Sequence, residues 1–582
     1  MSLQFISKEL VLTYLRKIIN KKNGRIYLSI AHNYRDKNTK SSRTTIIKSL
    51  GYLDELEKIY DDPISYFTAE AKKMEQQRLA DNAPYTFTFA KNQRISTAFA
   101  DHRNFGYTAL SKIYHELGIH TFIINWQRHL AEEFDANTIM KLLVYSRMLY
   151  PSSNIDAFEK RTLFFENTDF TLDDLYRCLT FLISHRNNLH LWLNSRISQL
   201  YGRDMKVAYY YVTNYNFDME NTDASNGKGT SREYCPNPTV QMGLLMDGNS
   251  IPITYQLFPG NSNDCLTCRP DLSGLRKDYA LDRVVIVADR GMVTGDYIWY
   301  THFGGNGYVF SLSVRDANKE LKEYLLDENG YERFEAKYKR KSRLYSRSAQ
   351  VTTPGGKKLK KTICEKQIVL YLEELNKRAK ADRTAVIAKA WDIILNPKKY
   401  TRSTAYGVSP YIKNISFDKR NGKILKTEKA MELDTEKLRE EEKYDGYCVL
   451  VTSEYQETDD HIIRIFHELQ KTEKSFLITL NDTEANLSYI TKEGLIQSHY
   501  LICFVALVIA RLLEMKTEQK YSIAQLLESL QRAECSHLQQ NYYLFDYYDD
   551  ILKDIGEKLG IDFSKKILSL KEIKEYLGDT RK

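Results

Sequence analysis

The order of apolar runs predicts an α/β protein built on a mixed sheet, and three observations carry that reading. First, residues 284–288, VVIVA, form an uninterrupted apolar run closed by Asp289, Arg290 and Gly291, the pattern of a short strand buried on both faces. Second, TVQMGLLMD and SIPITYQLF are separated by Gly248 and Asn249, a turn pair suited to a tight antiparallel hairpin. Third, helix-like LTCRPDLSGLRKDY and DYIWYTHFGG alternate with strand-like VVIVA and NGYVFSLSV, which is α/β order. In open α/β sheets chemistry collects at the carboxyl ends of the strands. Asp289 therefore stands where a catalytic carboxylate or metal ligand belongs, although an aspartate there equally caps a following helix.

At 582 residues the chain exceeds a single core, and two to four domains are expected. Apolar content of 42% and charged content of 27% are those of a globular chain. A net charge of +8, from 84 basic and 76 acidic residues, permits a nucleic-acid partner without requiring one. Eight scattered cysteines and no secretory signal lead us to expect a reducing, cytoplasmic setting. Cys265 and Cys268 form a lone CxxC with no second pair to complete a zinc set. The longest apolar stretch, Tyr500 to Leu513, is too short for a bilayer and reads as a buried helix.

In chain order, residues 1–95 read as a basic β-rich module. After a short helical start, GRIYLSIAHNYR and RTTIIKSLGYL alternate as strands. Its cations, Lys21, Lys22 and Arg25 among them, suit phosphates or simply guard a sheet edge. Residues 96–203 read as helices, with Pro151 ending one and Thr171 capping another; this block could hold DNA or serve as scaffold. Residues 204–317 and 444–515 supply the sheet, with MKVAYYYVT and DGYCVLVTSE as further strands. Between them 318–443 reads as an insertion whose basic run KYKRKSR, with Lys339, Arg340 and Lys341, could follow a DNA backbone. In DDHIIRIFHELQKTEKSF the apolar positions Ile462, Phe466, Leu469 and Phe476 put Glu473 on the inward face, where a carboxylate needs a partner or a metal. Residues 516–582 read as C-terminal helices.

Taken in this order, GRIYLSIAHNYRD, IIKSLGYLDELEK, SRMLYPSSN, PNPTVQMGLLMD, PITYQLFPGNSND, VADRGM, DGYCVLVTSE and HYLICFVALVIARLLE resemble the DDE transposases of bacterial insertion sequences. The resemblance is to the group with a Tyr–Arg–Glu–Lys-type helix after a long insertion. It implies a ribonuclease H-like core and binding of double-stranded DNA at terminal inverted repeats by a homodimer. It further implies cutting and joining by phosphoryl transfer at two Mg²⁺ or Mn²⁺ ions held by three carboxylates. Asp289 and Glu473 occupy the second and third acid positions. Arg147 and Arg290 join the basic residues expected at DNA. No membrane role is implied.

The first acid position holds Tyr211 instead, in YYVT. A neutral phenol is a poor ligand for a hard cation, and Asp218 and Glu220 lie beyond the bend. Phe466, Leu469 and Leu480 also stand where the helix signature has Tyr, Arg and Lys, and Cys235 where a basic residue is expected. The sequence therefore leaves three readings: a transposase with catalysis impaired at Tyr211, a DNA-binding regulator derived from one, or an unrelated scaffold that keeps only the fold.

Overall fold

The computed structural model describes residues 12–20, 24–35, 42–81, 87, 92, 102–128, 134–203, 205–216, 239–259, 272–288, 298–299, 301, 304–315, 317–334, 338–352, 357–418, 421–425, 429–476 and 492–581; for 12, 34–35, 42, 80–81, 213–216, 239–241, 259, 469–476, 492 and 539 the backbone alone is described. The chain forms two compact units, Met1–Ser96 and Thr97–Lys582.

In the first unit β1 (Leu12–Ile19), β2 (Ile26–Arg35) and β3 (Ser42–Tyr52) form an antiparallel sheet in that order. Helix α1 (Pro63–Asp81) packs on β1. Leu28, Leu56 and Phe67 form the small core. Glu75 of α1 pairs with Arg78 at 2.7 Å and accepts the Thr13 backbone N–H at 2.9 Å. Arg78 first, then Thr13, holds the Glu75 carboxyl down at about 2. The helical start expected from sequence is a strand over Leu12–Ile19, because its alternate residues pair with β2 from Leu12–Asn33 through Ile19–Ile26.

The second unit is built on one nine-stranded sheet. Its strands are β4 (Val207–Asn216), β5 (Thr239–Met246), β6 (Pro252–Pro259), β7 (Arg283–Ala288), β8 (Gly307–Leu312), β9 (Glu332–Phe334), β10 (Tyr338–Thr352), β11 (Lys358–Leu372) and β12 (Tyr447–Thr452). The spatial order is β9-β10-β11-β12-β8-β7-β4-β5-β6. Strands β4, β5 and β6 are an antiparallel meander, turned at Gly248 and Asn249 as expected. Strands β7 and β8 run parallel to β4. The order also places part of the stretch 318–443. Its first part, β9 to β11, extends the sheet through β12. Only its later part stands apart, around α9 (Glu373–Leu395), whose Ala390 and Ile393 join Ala405, Val408 and Ile412 in a satellite core.

Both faces of the sheet are covered, as parallel strands demand. One face carries Ala208, Tyr210, Val284, Ile286 and Phe310 against α7 (Leu272–Asp278) and α8 (Lys319–Leu326). The other carries Tyr209, Tyr211, Val285 and Val287 and meets α10 (Asp459–Phe476), which packs on β7 and β8. Next to it lies α11 (Lys492–Lys516). This helix is long and apolar enough to cross a membrane, but 83% of its apolar window is buried in the fold. It packs against α2 (Tyr107–Glu116), α4 (Ala136–Leu149), α5 (Leu172–Ser184) and α12 (Ile523–Arg532). The start of α5 is fixed by the Thr171–Asp174 capping box. The C-terminal part is not wholly helical: Glu534–His537, Tyr542–Phe545 and Ile567–Ser569 join His102–Asn104 in a four-stranded sheet. The helical block and the C-terminal region thereby share one core with the central sheet.

Two expectations arise from the packing. A Cβ on Gly243 of β5 would lie 1.8 Å from the Tyr210 hydroxyl oxygen, and Tyr210 is fully buried and donates to Gln256 at 3.0 Å. Gly243→Ala should cost about 1–3 kcal/mol in urea unfolding, and most of that cost should vanish in a Tyr210→Ala background. Separately, burial holds four histidines below their ordinary range: His115 at about 4, His190 at about 3, His499 well down, and His120. Each contributes stability that is complete above the unfolded value and lost as pH falls toward the folded one. Unfolding free energy should therefore drop below pH about 6.5 by as much as about 1.4 kcal/mol per pH unit per histidine. In His190→Gln the loss between pH 7 and pH 5 should shrink by about 2 kcal/mol.

Candidate active site

The three tyrosines of β4 alternate across the sheet. Tyr210 faces α7 and α8, whereas Tyr209 and Tyr211 face α10 and α11. Tyr211 is 1% exposed; it pairs with Val287 of β7 on one side and Leu244 of β5 on the other. Burial drives its hydroxyl well above the ordinary phenol range, Glu468 adds to that, and Arg511 opposes it. The phenol is thus held protonated.

Glu468 of α10 and Arg511 of α11 form a largely buried ion pair at 3.0 Å, and Arg511 also reaches Glu514 at 2.9 Å. One guanidinium between two carboxylates clamps α10 to α11. Breaking such a pair from one side strands a buried charge and costs several kcal/mol. At the start of α10, Arg464 donates to His461 Nδ1 at 2.7 Å, which leaves Nε2–H to donate to the Tyr209 hydroxyl at 3.2 Å. Burial pushes Tyr209 up to about 12.

Strand β7 ends at Ala288, opposite Val212 of β4. Asp289 and Arg290 come directly after it in sequence and lie outside the described residues, as do Lys21, Lys22, Cys265 and Cys268. Glu473 belongs to α10, with its backbone alone described; Ile462, Ile465 and Phe466 of the same helix are buried in the cluster that holds Tyr211. Among the described residues no three His, Cys, Asp or Glu side chains gather as a metal-binding group.

Of the basic residues singled out from sequence, the five described ones are engaged inside the molecule. Arg25 pairs with Asp54 at 2.9 Å and Glu55 at 2.5 Å and stacks on Tyr52 at 3.9 Å. Lys339 pairs with Glu328 at 2.6 Å beneath Tyr331. Arg340 is held by Asp460 and by Glu332 at 3.2 Å. Lys341 is buried and donates to the Asp327 carbonyl at 2.6 Å, with burial lowering its pKa. Arg147 is buried and donates to His499 Nδ1 at 3.1 Å. Sequence reasoning missed the Glu468–Arg511–Glu514 clamp. Its one signal is an arginine at the end of the apolar run of α11, which needs a buried partner.

Comparison with known proteins bears on the first unit. Residues 15–84 match the family model described as the IS1634 family transposase, N-terminal domain. No curated protein sequence matches. Among solved structures the chain is similar to the piggyBac transposase in its cryo-EM synaptic complex with hairpin DNA, at 9% identity and a TM-score of 0.26, over 87% of this chain and 80% of that one. The segment that opens this chain, β1 through α1, is thus similar in sequence to the N-terminal domain of insertion-sequence transposases.

Proposed function

We propose that this chain is a transposase-type protein that binds the terminal inverted repeats of an insertion sequence, with its strand-cutting centre impaired at Tyr211. The observation that carries this reading is the strand order β6-β5-β4-β7-β8. An antiparallel meander followed by two parallel strands is the arrangement a ribonuclease H-like core requires. It puts position 211 on the central strand and the end of β7 beside it. The match of residues 15–84 to a transposase domain supports the same reading from an independent part of the chain. Asp289, directly after β7, and Glu473, seven residues after the inward-facing Phe466 on α10, are the proposed remaining acids. Double-stranded DNA and a second copy of the chain are the proposed partners.

Two divalent cations need carboxylates from three sides, and Tyr211 does not fit that role. It is a buried, protonated phenol, and the carboxylate that acts on it most, Glu468, is already committed to Arg511. No reaction step is therefore assigned to this chain as it stands. This favours a second reading within the proposal: a protein that occupies element ends without cutting them.

On a labelled element end with Mg²⁺ or Mn²⁺, the wild-type chain should bind at least about tenfold tighter than to random duplex at fixed salt and leave both strands intact. Tyr211→Asp should gain cleavage, and Asp289→Asn in that background should abolish it. Cleavage by the wild type contradicts the impaired site, and equal affinity for random DNA removes the proposal. A second readout is independent of activity. Tyr211→Asp should acquire a Mn²⁺-dependent rise in Tm, by preferential binding to the folded state, whereas wild type and Tyr211→Phe should show none.

A further inference from the structure

A cleft of about 470 Å³ lies between α4, α11 and α12. Its walls are mostly apolar, with Met148, Leu507, Ile523 and Leu527 among them. Two buried guanidiniums interrupt them, Arg147 and Arg511. The two are not alike. Arg511 is shared by Glu468 and Glu514. Arg147, 8% exposed, bonds to the ring of His499, and its Nη1 has no hydrogen-bond partner among the described residues. His499 accepts at Nδ1 and faces Cys503 with its other nitrogen at 3.5 Å, so it brings no negative charge. A buried guanidinium without a carboxylate costs several kcal/mol, and here it lines open space.

We propose that this cleft binds a small amphiphilic carboxylate, its headgroup on Arg147 and its apolar body along α11 and α12. The volume suits a molecule of that size. The apolar walls favour a hydrocarbon or aryl body. The carboxylates of Glu468 and Glu514, beside Arg511, disfavour a dianion such as a phosphate monoester. A DNA backbone is hydrophilic on every side and far wider than the cleft. An occupant would touch Arg511, the residue that clamps α10 beside Tyr211, and so would stiffen the helices behind the candidate active site.

The test is calorimetric titration of the full-length chain with decanoate, with 1-decanol and inorganic phosphate as probes lacking charge or body. Decanoate should bind one to one, and decanol and phosphate at least about tenfold more weakly. Arg147→Met, which keeps most of the side-chain volume, should weaken decanoate at least about tenfold and raise the Tm of the ligand-free chain, since it removes an unmatched buried charge. Ala510→Phe, which fills the cleft and keeps Arg147, should also abolish binding. The proposal falls if decanoate does not bind the wild type, if decanol or the Arg147→Met chain binds equally well, or if Arg147→Met lowers the ligand-free Tm, which would mark a structural arginine. Element-end DNA affinity should not change in Ala510→Phe, which leaves every basic residue in place. A tenfold loss there would assign the cleft to DNA and overturn the carboxylate reading, whereas failure of the wild type to prefer element ends would overturn the transposase reading alone.

Discussion

Everything in the second unit depends on burying the parallel pair β4 and β7 on both faces. Parallel strands joined by crossovers lie between layers of helices. Here every residue from Val284 to Ala288 is at most 1% exposed, and Tyr210 and Tyr211 of β4 are equally covered. At about 1.5–3 kcal/mol for each fully buried large apolar side chain, that pair anchors the sheet. It also fixes the level at which side chains emerge: Tyr211 lies opposite Val287, and Val212 opposite Ala288. Helices α10 and α11 are then drawn over one face, and the Glu468–Arg511–Glu514 clamp sets their mutual height.

That constraint explains which parts were legible in the sequence. A strand buried on both faces cannot alternate, so VVIVA announced itself as an apolar run. The Gly248–Asn249 turn and the Thr171 cap were readable because local backbone chemistry dictates them. The long hairpin β10–β11 was not. Lys339, Lys341 and Arg343 alternate along β10 and look like solvated charge. In the fold their charged heads lie over the rings of Tyr324 and Tyr331, so a basic strand sits between β9 and β11 with its cations in cation–π contact. The short strands 534–537 and 567–569 carry too few residues for any period to be visible, and they exist only because His102–Asn104 and Tyr542–Phe545 supply partners.

The candidate site was legible to a different degree. Position 211 is singled out only by the resemblance, whereas the helix that carries Glu473 is visible in its apolar spacing, and the fold sets that helix on β7 and β8. The clamp did not emerge, because its partners stand 43 residues apart on different helices. Of the cations expected at DNA, Arg25, Lys339 and Arg340 pair with acids, Lys341 with a backbone carbonyl and Arg147 with His499; charge composition alone does not say how a cation is held within a fold.

On the proposed reading, the phenol at 211 removes chemistry and adds stability. Acids that converge without a metal repel one another and suffer desolvation, so a catalytic centre of this type stores instability that a cation must offset. Tyr211 places a large, apolar and neutral ring on the central strand, in contact with the cluster that α10 and α11 complete. Under that proposal it replaces repulsion between acids with burial, beside the Glu468–Arg511 pair. On the proposed reading, substitution at a single strand position exchanges metal-dependent chemistry for metal-independent stability. On that same reading, the surfaces that recognise DNA lie elsewhere in the chain and are untouched by the exchange. Loss of cutting and retention of end binding are then separable properties of the same fold.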